Sequence, residues 1–323
     1  MALHPNIDPE LGAVAAHLGP ALADFAAVRP EDVPDIRAQM AAVRAAIAPS
    51  VPDDRVAVED RTVPGPEGAP DVRLRIYRPA GLEEGAPGLY WIHGGGMIIG
   101  TVEDDDARAC VYALEVGCVV VSVEYRLAPE HPDPAPVEDC YAGLVWTAKN
   151  AAELGIDPDR IAVGGISAGG GLAAGTVLLA RDRGGPAVAF QLLICPMLDD
   201  RNTTPSSHEF TDAVVWKRAA NLFGWGCLLG ERMGADDVSP YAAPARATDL
   251  SGLPPAYVDV GELEVFRDEC VEYALRLARA GVSTEFHLFP GAFHGFDVMV
   301  PDAAISRRAA AERIAVLRRA LLR

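Results

Sequence analysis

Lysine is almost missing from this chain. Only Lys149 and Lys217 occur in 323 residues, and arginine carries nearly all the positive charge, which reads as codon bias rather than function. The 28 basic residues face 46 acidic ones, for a formal net charge of −18. An acidic surface repels a phosphate backbone, so nucleic acid is not an expected partner. Paired cysteines are also missing. Cys110, Cys118, Cys140, Cys195, Cys227 and Cys270 are scattered with no Cys-x-x-Cys, which argues against zinc. Several lie in apolar runs, as buried thiols do. There is no apolar run long enough to span a bilayer, and Met1–Glu10 lacks the basic-then-apolar pattern of a secretory signal. The expectation is a soluble cytoplasmic protein with no membrane span. Internal repeats and long low-complexity tracts are absent too.

What is present is a large apolar fraction. Half the residues are hydrophobic, enough for a sizeable core, and the length allows one large α/β domain with an added cap or two smaller domains. The first fifty residues are Ala-rich. They show helical spacing at Leu18-Leu22-Phe25 and Ile36-Met40-Val43-Ile47, punctuated by Pro30, Pro34 and Pro49. Strand signals follow. Val56–Val58 and Val72–Tyr77 alternate in polarity and predict an antiparallel start. Gly88–Ile92, Cys118–Val123, Arg160–Val163, Ala187–Cys195 and Ala256–Val260 are apolar runs, as a parallel sheet buried on both faces requires. Helices are predicted over 103–116, 136–154, 168–181, 265–280 and 301–322. The alternation implies right-handed crossovers with helices on both sheet faces. One stretch breaks the rhythm: about 196–251 has Trp216, Phe223 and Trp225 but no clear strand, and reads as an inserted lid.

The chemistry concentrates on Ser167. Gly165-Ile166-Ser167-Ala168-Gly169 follows a short strand and opens a helix, the Gly-x-Ser-x-Gly pattern that holds a serine out on a sharp turn. A serine hydroxyl needs a base, and the base needs an orienting group. His294, in Phe289–Phe296 just after a strand predicted over Thr284–Leu288, is the leading base. His287 lies on that strand, and His131, His4, His17 and His208 lack a comparable setting. Glu264, just past the strand ending at Val260, is the chosen acid. Glu262, Asp268 and Asp259 compete, because acids also gather at helix N-termini for electrostatic reasons. An oxyanion needs fixed donors. His93-Gly94-Gly95-Gly96-Met97 follows an apolar strand and brings bare backbone close to a substrate oxygen, and the Ala168 N–H is a further donor. His93 itself is read as a brace.

These pieces, together with Tyr125-Arg126-Leu127-Ala128-Pro129-Glu130, Phe266-Arg267-Asp268-Glu269, His294-Gly295-Phe296, Ser239–Ala242 and Leu253–Pro255, resemble the hormone-sensitive-lipase-like branch of the α/β-hydrolases. The resemblance runs from about Val72 to Phe296. It implies an α/β-hydrolase fold: an eight-stranded, mostly parallel sheet with helices on both faces. A helical cap would come from residues 1–50 and the insert at about 196–251, on a catalytic domain over 51–323. It implies ester hydrolysis through Ser167, Glu264 and His294, with Gly95, Gly96 and Ala168 as oxyanion donors and no metal or organic cofactor. It also makes a homodimer reasonable. Two positions depart from the family pattern: Ile166 stands where Asp or Thr is usual, and Glu264 where Asp is usual. The second keeps Asp268 open as the acid. Met97, Trp216, Phe223 and Trp225 are candidate walls of an acyl pocket, or core residues.

The expected substrate is a small carboxylic ester of short or medium chain. An amidase, deacetylase or lactonase would use the same residues. A propeller-bearing peptidase is disfavoured by the short N-terminal region. A non-catalytic receptor on this fold is disfavoured by the presence of His294. A dinucleotide-binding protein would carry its glycine turn earlier in the chain.

Overall fold

The computed structural model describes residues 3–18, 28–46 and 53–322. Leu22, Phe25, Ile47 and Pro49 of the expected N-terminal pattern lie outside them. The described parts of that pattern form α1 (Pro9–Leu18) and α2 (Val33–Ala46).

Eight strands form one sheet in the order β1-β2-β4-β3-β5-β6-β7-β8. β1 (Val56–Val63) and β2 (Val72–Pro79) are antiparallel, and β2 is also antiparallel to β4 (Val119–Glu124). From β4 through β3 (Ala86–Ile92), β5 (Ile156–Ile166), β6 (Phe190–Ile194), β7 (Ala256–Leu263) and β8 (Thr284–Phe293) all pairings are parallel. Every residue of β3 and β6 is buried, while β1 at the edge is largely exposed. Strands covered on both faces have no solvent side to mark with polar residues, hence their unbroken apolar runs.

The helices cover the sheet: α3 (Asp106–Tyr112), α4 (Ala135–Lys149) and α5 (Ala168–Asp182) on the first half of the chain. The helix expected over 103–116 is instead three pieces. A 3₁₀ turn over Val102–Asp105 precedes α3, and a π-helical turn over Ala113–Gly117 follows it, ended by Gly117 at φ +71°. The 196–251 insert holds α6 (Pro205–Glu209) and α7 (Arg218–Leu229) and no strand. It is followed by α8 (Arg267–Arg279), the short α9 (Phe296–Met299) and α10 (Ala304–Leu321). No helix among the described residues is long and apolar enough to cross a membrane.

The C-terminal ends of β7 and β8 differ from expectation. β8 does not stop at Leu288 but continues through Pro290-Gly291 to Phe293, so His294 follows the strand directly. The pairing shifts register between Gly261 and Leu263, and Gly291 has φ +73°. A bulge on an edge strand tolerates proline and glycine where a central strand would not. Phe289, Ala292, Phe293 and Phe296 anchor this stretch in an apolar cluster with Leu11 and Ala15 of α1. The Asp8 N–H donates to the Gly291 carbonyl at 3.0 Å, so the N-terminal segment fastens onto the same strand end.

Beneath the rim lies a buried ionic network. Arg313 of α10 pairs with Asp259 of β7 at 2.6 Å and with Asp297 at 2.5 Å. Arg108 of α3 reaches Asp297 at 3.2 Å. The two guanidiniums hold the Asp297 carboxyl well below the usual range, against the opposing effect of burial.

Candidate active site

Ser167 stands between β5 and α5 at φ +58°, ψ −122°. A non-glycine residue there costs about 1–3 kcal/mol and persists only when its surroundings over-determine it. They do. The Ser167 N–H donates to the Ile194 carbonyl at 2.8 Å, and its carbonyl accepts from Gly171 and Met197, both at 3.0 Å. The flanking glycines are a steric need. A methyl group on Gly165 would meet the Gly169 carbonyl oxygen at 2.2 Å, and one on Gly169 would meet that of Ile92 at 2.1 Å.

The hydroxyl of Ser167 lies 3.0 Å from Nε2 of His294. The Nδ1 of His294 makes a very short contact with one carboxylate oxygen of Glu264, whose other oxygen accepts the Gly261 N–H at 2.8 Å. The three side chains are 8%, 7% and 1% exposed at Ser167, His294 and Glu264. The Phe266 ring sits edge-on to the imidazole at 5.2 Å. The extra methylene of a glutamate is accommodated by folding the carboxylate back onto its own strand end. The competing acids are engaged elsewhere. Asp268 accepts from the Ser206 N–H at 2.7 Å and from Arg267 at 2.8 Å. Glu262 accepts the Gly291 N–H at 2.7 Å, and Asp259 is paired with Arg313. His287 lies between Glu285 and Glu312, at 2.9 and 3.1 Å.

The loop after β3 runs alongside. A methyl on Gly94 would be 3.5 Å from the Ser167 Cβ. Gly95, Gly96 and Met97 have φ of +116°, +61° and +63°. The N–H groups of Gly95, Gly96 and Ala168 have no acceptor among the described residues. His93 braces the loop. Its ring stacks on Tyr125 at 4.3 Å, its Nδ1 lies 2.8 Å from the Gly94 carbonyl oxygen, and the Tyr125 hydroxyl donates to the His93 carbonyl at 3.0 Å. From α2, Arg37 donates to the carbonyls of Ile98 at 2.7 Å and Ala128 at 2.6 Å.

Of the candidate pocket residues, Trp216 is set against the glycine loop: a methyl on Gly96 would strike its ring at 2.4 Å. Its indole N–H donates to Asn221 at 3.3 Å. Phe223 is half-buried on α7, while Met97 and Trp225 are wholly buried in the main core. A cavity of about 180 Å³ opens between the N-terminal segment and the insert, lined among others by Ile7, Phe210, Val214, Leu263 and Phe293. The last two immediately precede Glu264 and His294 in the chain.

Two neighbours of the site carried no signal of their role. Glu269 is buried, and one of its oxygens accepts the N–H groups of Leu198 at 2.7 Å and Asp199 at 3.3 Å. Burial pushes its carboxyl well above the usual range. It steadies the segment whose Met197 N–H holds the Ser167 carbonyl. The Phe266–Glu269 segment drew attention as a motif without saying what Glu269 does. Cys195, at φ +35° just after β6, brings its sulfur close to Glu264 and His294. A lone cysteine in a sequence says nothing about such a neighbour.

Residues 89–298 match the family described as alpha/beta hydrolase fold. The carboxylesterase NlhH of Mycobacterium tuberculosis (strain ATCC 25618 / H37Rv) is 41% identical over 268 residues, 82% of this chain and 83% of that protein. Among solved structures, a bacterial heroin esterase is 49% identical with a TM-score of 0.91, covering 98% of each chain. A hyperthermophilic esterase from the archaeon Pyrobaculum calidifontis is 36% identical with a TM-score of 0.87, over 97% of this chain and 98% of that one. With its sheet order, serine turn and glycine loop, the chain belongs to the α/β-hydrolase family, in the hormone-sensitive-lipase-like branch.

Proposed function

We propose that this protein is a serine carboxylesterase acting on small esters of short or medium acyl chain, with Ser167 as nucleophile, His294 as general base and Glu264 as the acid that orients it. The observation carrying this reading is the 3.0 Å approach of the Ser167 hydroxyl to Nε2 of an imidazole whose Nδ1 faces a buried carboxylate.

Ser167 attacks the ester carbonyl as His294 Nε2 takes its proton. Glu264 keeps the other imidazole proton on Nδ1 and stabilises the imidazolium that forms. The negative oxygen of the tetrahedral intermediate accepts from the N–H groups of Gly95, Gly96 and Ala168. Each such donor is worth about 10²–10³ in rate in a comparable site. The imidazolium then protonates the leaving alkoxide, and the alcohol departs. Water attacks the acyl-enzyme, giving its proton to the same nitrogen, and the acid leaves as Ser167 regains its hydrogen.

The cap belongs to the same proposal. The cap is assigned to residues 1–50 and the insert at about 196–251, on the 51–323 domain, and the cavity between the described N-terminal residues and the insert receives part of the substrate. Its support is that Ile7, Phe210 and Val214 line that cavity and that Trp216 touches the glycine loop. Met97, Phe223 and Trp225 shape the acyl side from behind. A homodimer is also proposed: β8 lies at a sheet edge, where a second copy can pair.

A fluorophosphonate should form an adduct on the Ser167 peptide of the native protein and none on Ser167→Ala. An unreactive native protein, or an adduct elsewhere, sinks the assignment. A series of p-nitrophenyl esters of rising acyl length then locates the cut-off, and light scattering gives the mass in solution.

A further inference from the structure

Cys195 is the one cysteine whose sulfur converges with other metal-ligating groups among the described residues. One donor atom each of Cys195, Glu264 and His294 lies within 4.8 Å of the other two, and all three residues are buried. Thiolate, imidazole and carboxylate are the donor types that a zinc ion takes together, at about 2.0–2.3 Å from the metal, and three protein ligands with an open fourth position make a complete site. Donors bonded at that range to one tetrahedral ion stand about 3–4 Å apart, so the Cys195 sulfur moves inward while His294 Nδ1 and the Glu264 oxygen, now in direct hydrogen-bond contact, part to admit the ion.

We propose that Cys195, Glu264 and His294 form an inhibitory site for zinc or a similarly thiophilic divalent cation, which switches the hydrolase off reversibly. The nitrogen of His294 that faces Glu264 is Nδ1. An ion within the triangle takes Nδ1 and the Glu264 carboxylate, and displaces the thiol proton of Cys195 to solvent. The imidazole proton moves from Nδ1 to Nε2. The nitrogen 3.0 Å from the Ser167 hydroxyl then carries a hydrogen and cannot accept another. The nucleophile loses its base, and the direct Glu264–His294 hydrogen bond gives way to two bonds to the ion. The cation reaches His294 by the path substrate uses. The loss of activity rests on the proposed triad, but binding of the metal does not.

Two measurements separate those claims. In chelator-free buffer, zinc should abolish p-nitrophenyl ester hydrolysis by the native protein, and EDTA should restore it. Cys195→Ala and Cys195→Ser should keep the uninhibited rate and need at least roughly tenfold more zinc, since even losing an outer-shell partner weakens a metal site by about 10–100-fold. Equal zinc sensitivity in native protein and both variants overturns the proposal, and a native protein indifferent to millimolar zinc overturns its inhibitory role. The second readout needs no activity. Cobalt(II) added to Ser167→Ala should give a sulfur-to-metal charge-transfer absorption at one ion per chain, and Ser167→Ala/Cys195→Ser should not. The same band in the double variant places the sulfur ligand elsewhere and overturns it equally. If cobalt binds as expected but zinc leaves hydrolysis untouched, the site stands as a metal site and its inhibitory role fails.

Discussion

Asp259 within β7 and Glu264 just past its end are both 1% exposed, and they meet opposite partners. Asp259 faces the guanidinium of Arg313, which never loses its proton, and the network continues through Asp297 to Arg108. Glu264 faces an imidazole, a group able to take up and release a proton. The first carboxylate is part of a permanently neutralised group and serves packing between β7 and α10. The second belongs to a pair that can cycle between states, with its far end aimed at a hydroxyl. Burial alone therefore does not separate the acid proposed for catalysis from a structural one. The distinguishing feature is whether the partner can exchange a proton and has a third group to exchange it with.

The sharpest way to break this contrast is to neutralise each acid in turn. Glu264→Gln should lower kcat by about 10⁴, through loss of the correct tautomer, while the melting temperature moves little. A steady-state assay beside a thermal melt checks both, and a fully active Glu264→Gln would remove Glu264 from the mechanism. The opposite pattern is expected when the partner of Asp259 is removed. Arg313→Met strands Asp259 as a buried unpaired charge, so unfolding in urea should come about 3–5 kcal/mol sooner, with kcat of the folded fraction close to native.

A smaller effect sharpens the same comparison through pH. The folded-state pKa of Asp297 lies below its unfolded value of about 3.9, so its pairing stabilises the protein at higher pH and the stabilisation is lost as pH falls through that range. Asp297→Asn should lack about 2–3 kcal/mol of the native acid slope between about pH 5 and pH 2, read from denaturant midpoints. Equal slopes would mean the network carries no such linkage. The smallest effect has the opposite sign. Glu269 keeps its proton in the fold above the unfolded value of about 4.3, so native stability declines as pH rises past that value. Glu269→Gln supplies an N–H where the carboxyl proton sat. Its stability relative to native should improve as pH rises past that value. A difference that stays flat with pH would show Glu269 to be ionised in the fold.

Much of this was readable without coordinates. The buried strands announced themselves because sheets covered on both faces admit only apolar side chains. Ser167 and the His93–Met97 loop were readable because their backbones need glycine at fixed offsets, and glycine is visible in a sequence. Other features were not. The prediction ended β8 at Leu288 because Pro290-Gly291 signals a turn, yet the edge position absorbs both in a bulge. The helix over 103–116 read as continuous because apolar spacing does not separate α, 3₁₀ and π turns within one short stretch.

The sequence by itself determined the order of strands and helices, the family and a short list of candidate site residues, since these depend on local patterns: period, apolar run length and the steric demands of glycine. Only the tertiary structure decided which acid faces His294, which acids are tied to arginine, and that Cys195 stands beside the pair. Those outcomes depend on distances between residues far apart in the chain, set by how β6, β7 and β8 align. A register shift of one residue on β7 moves a side chain to the other face of the sheet, and nothing local in the sequence records that alignment.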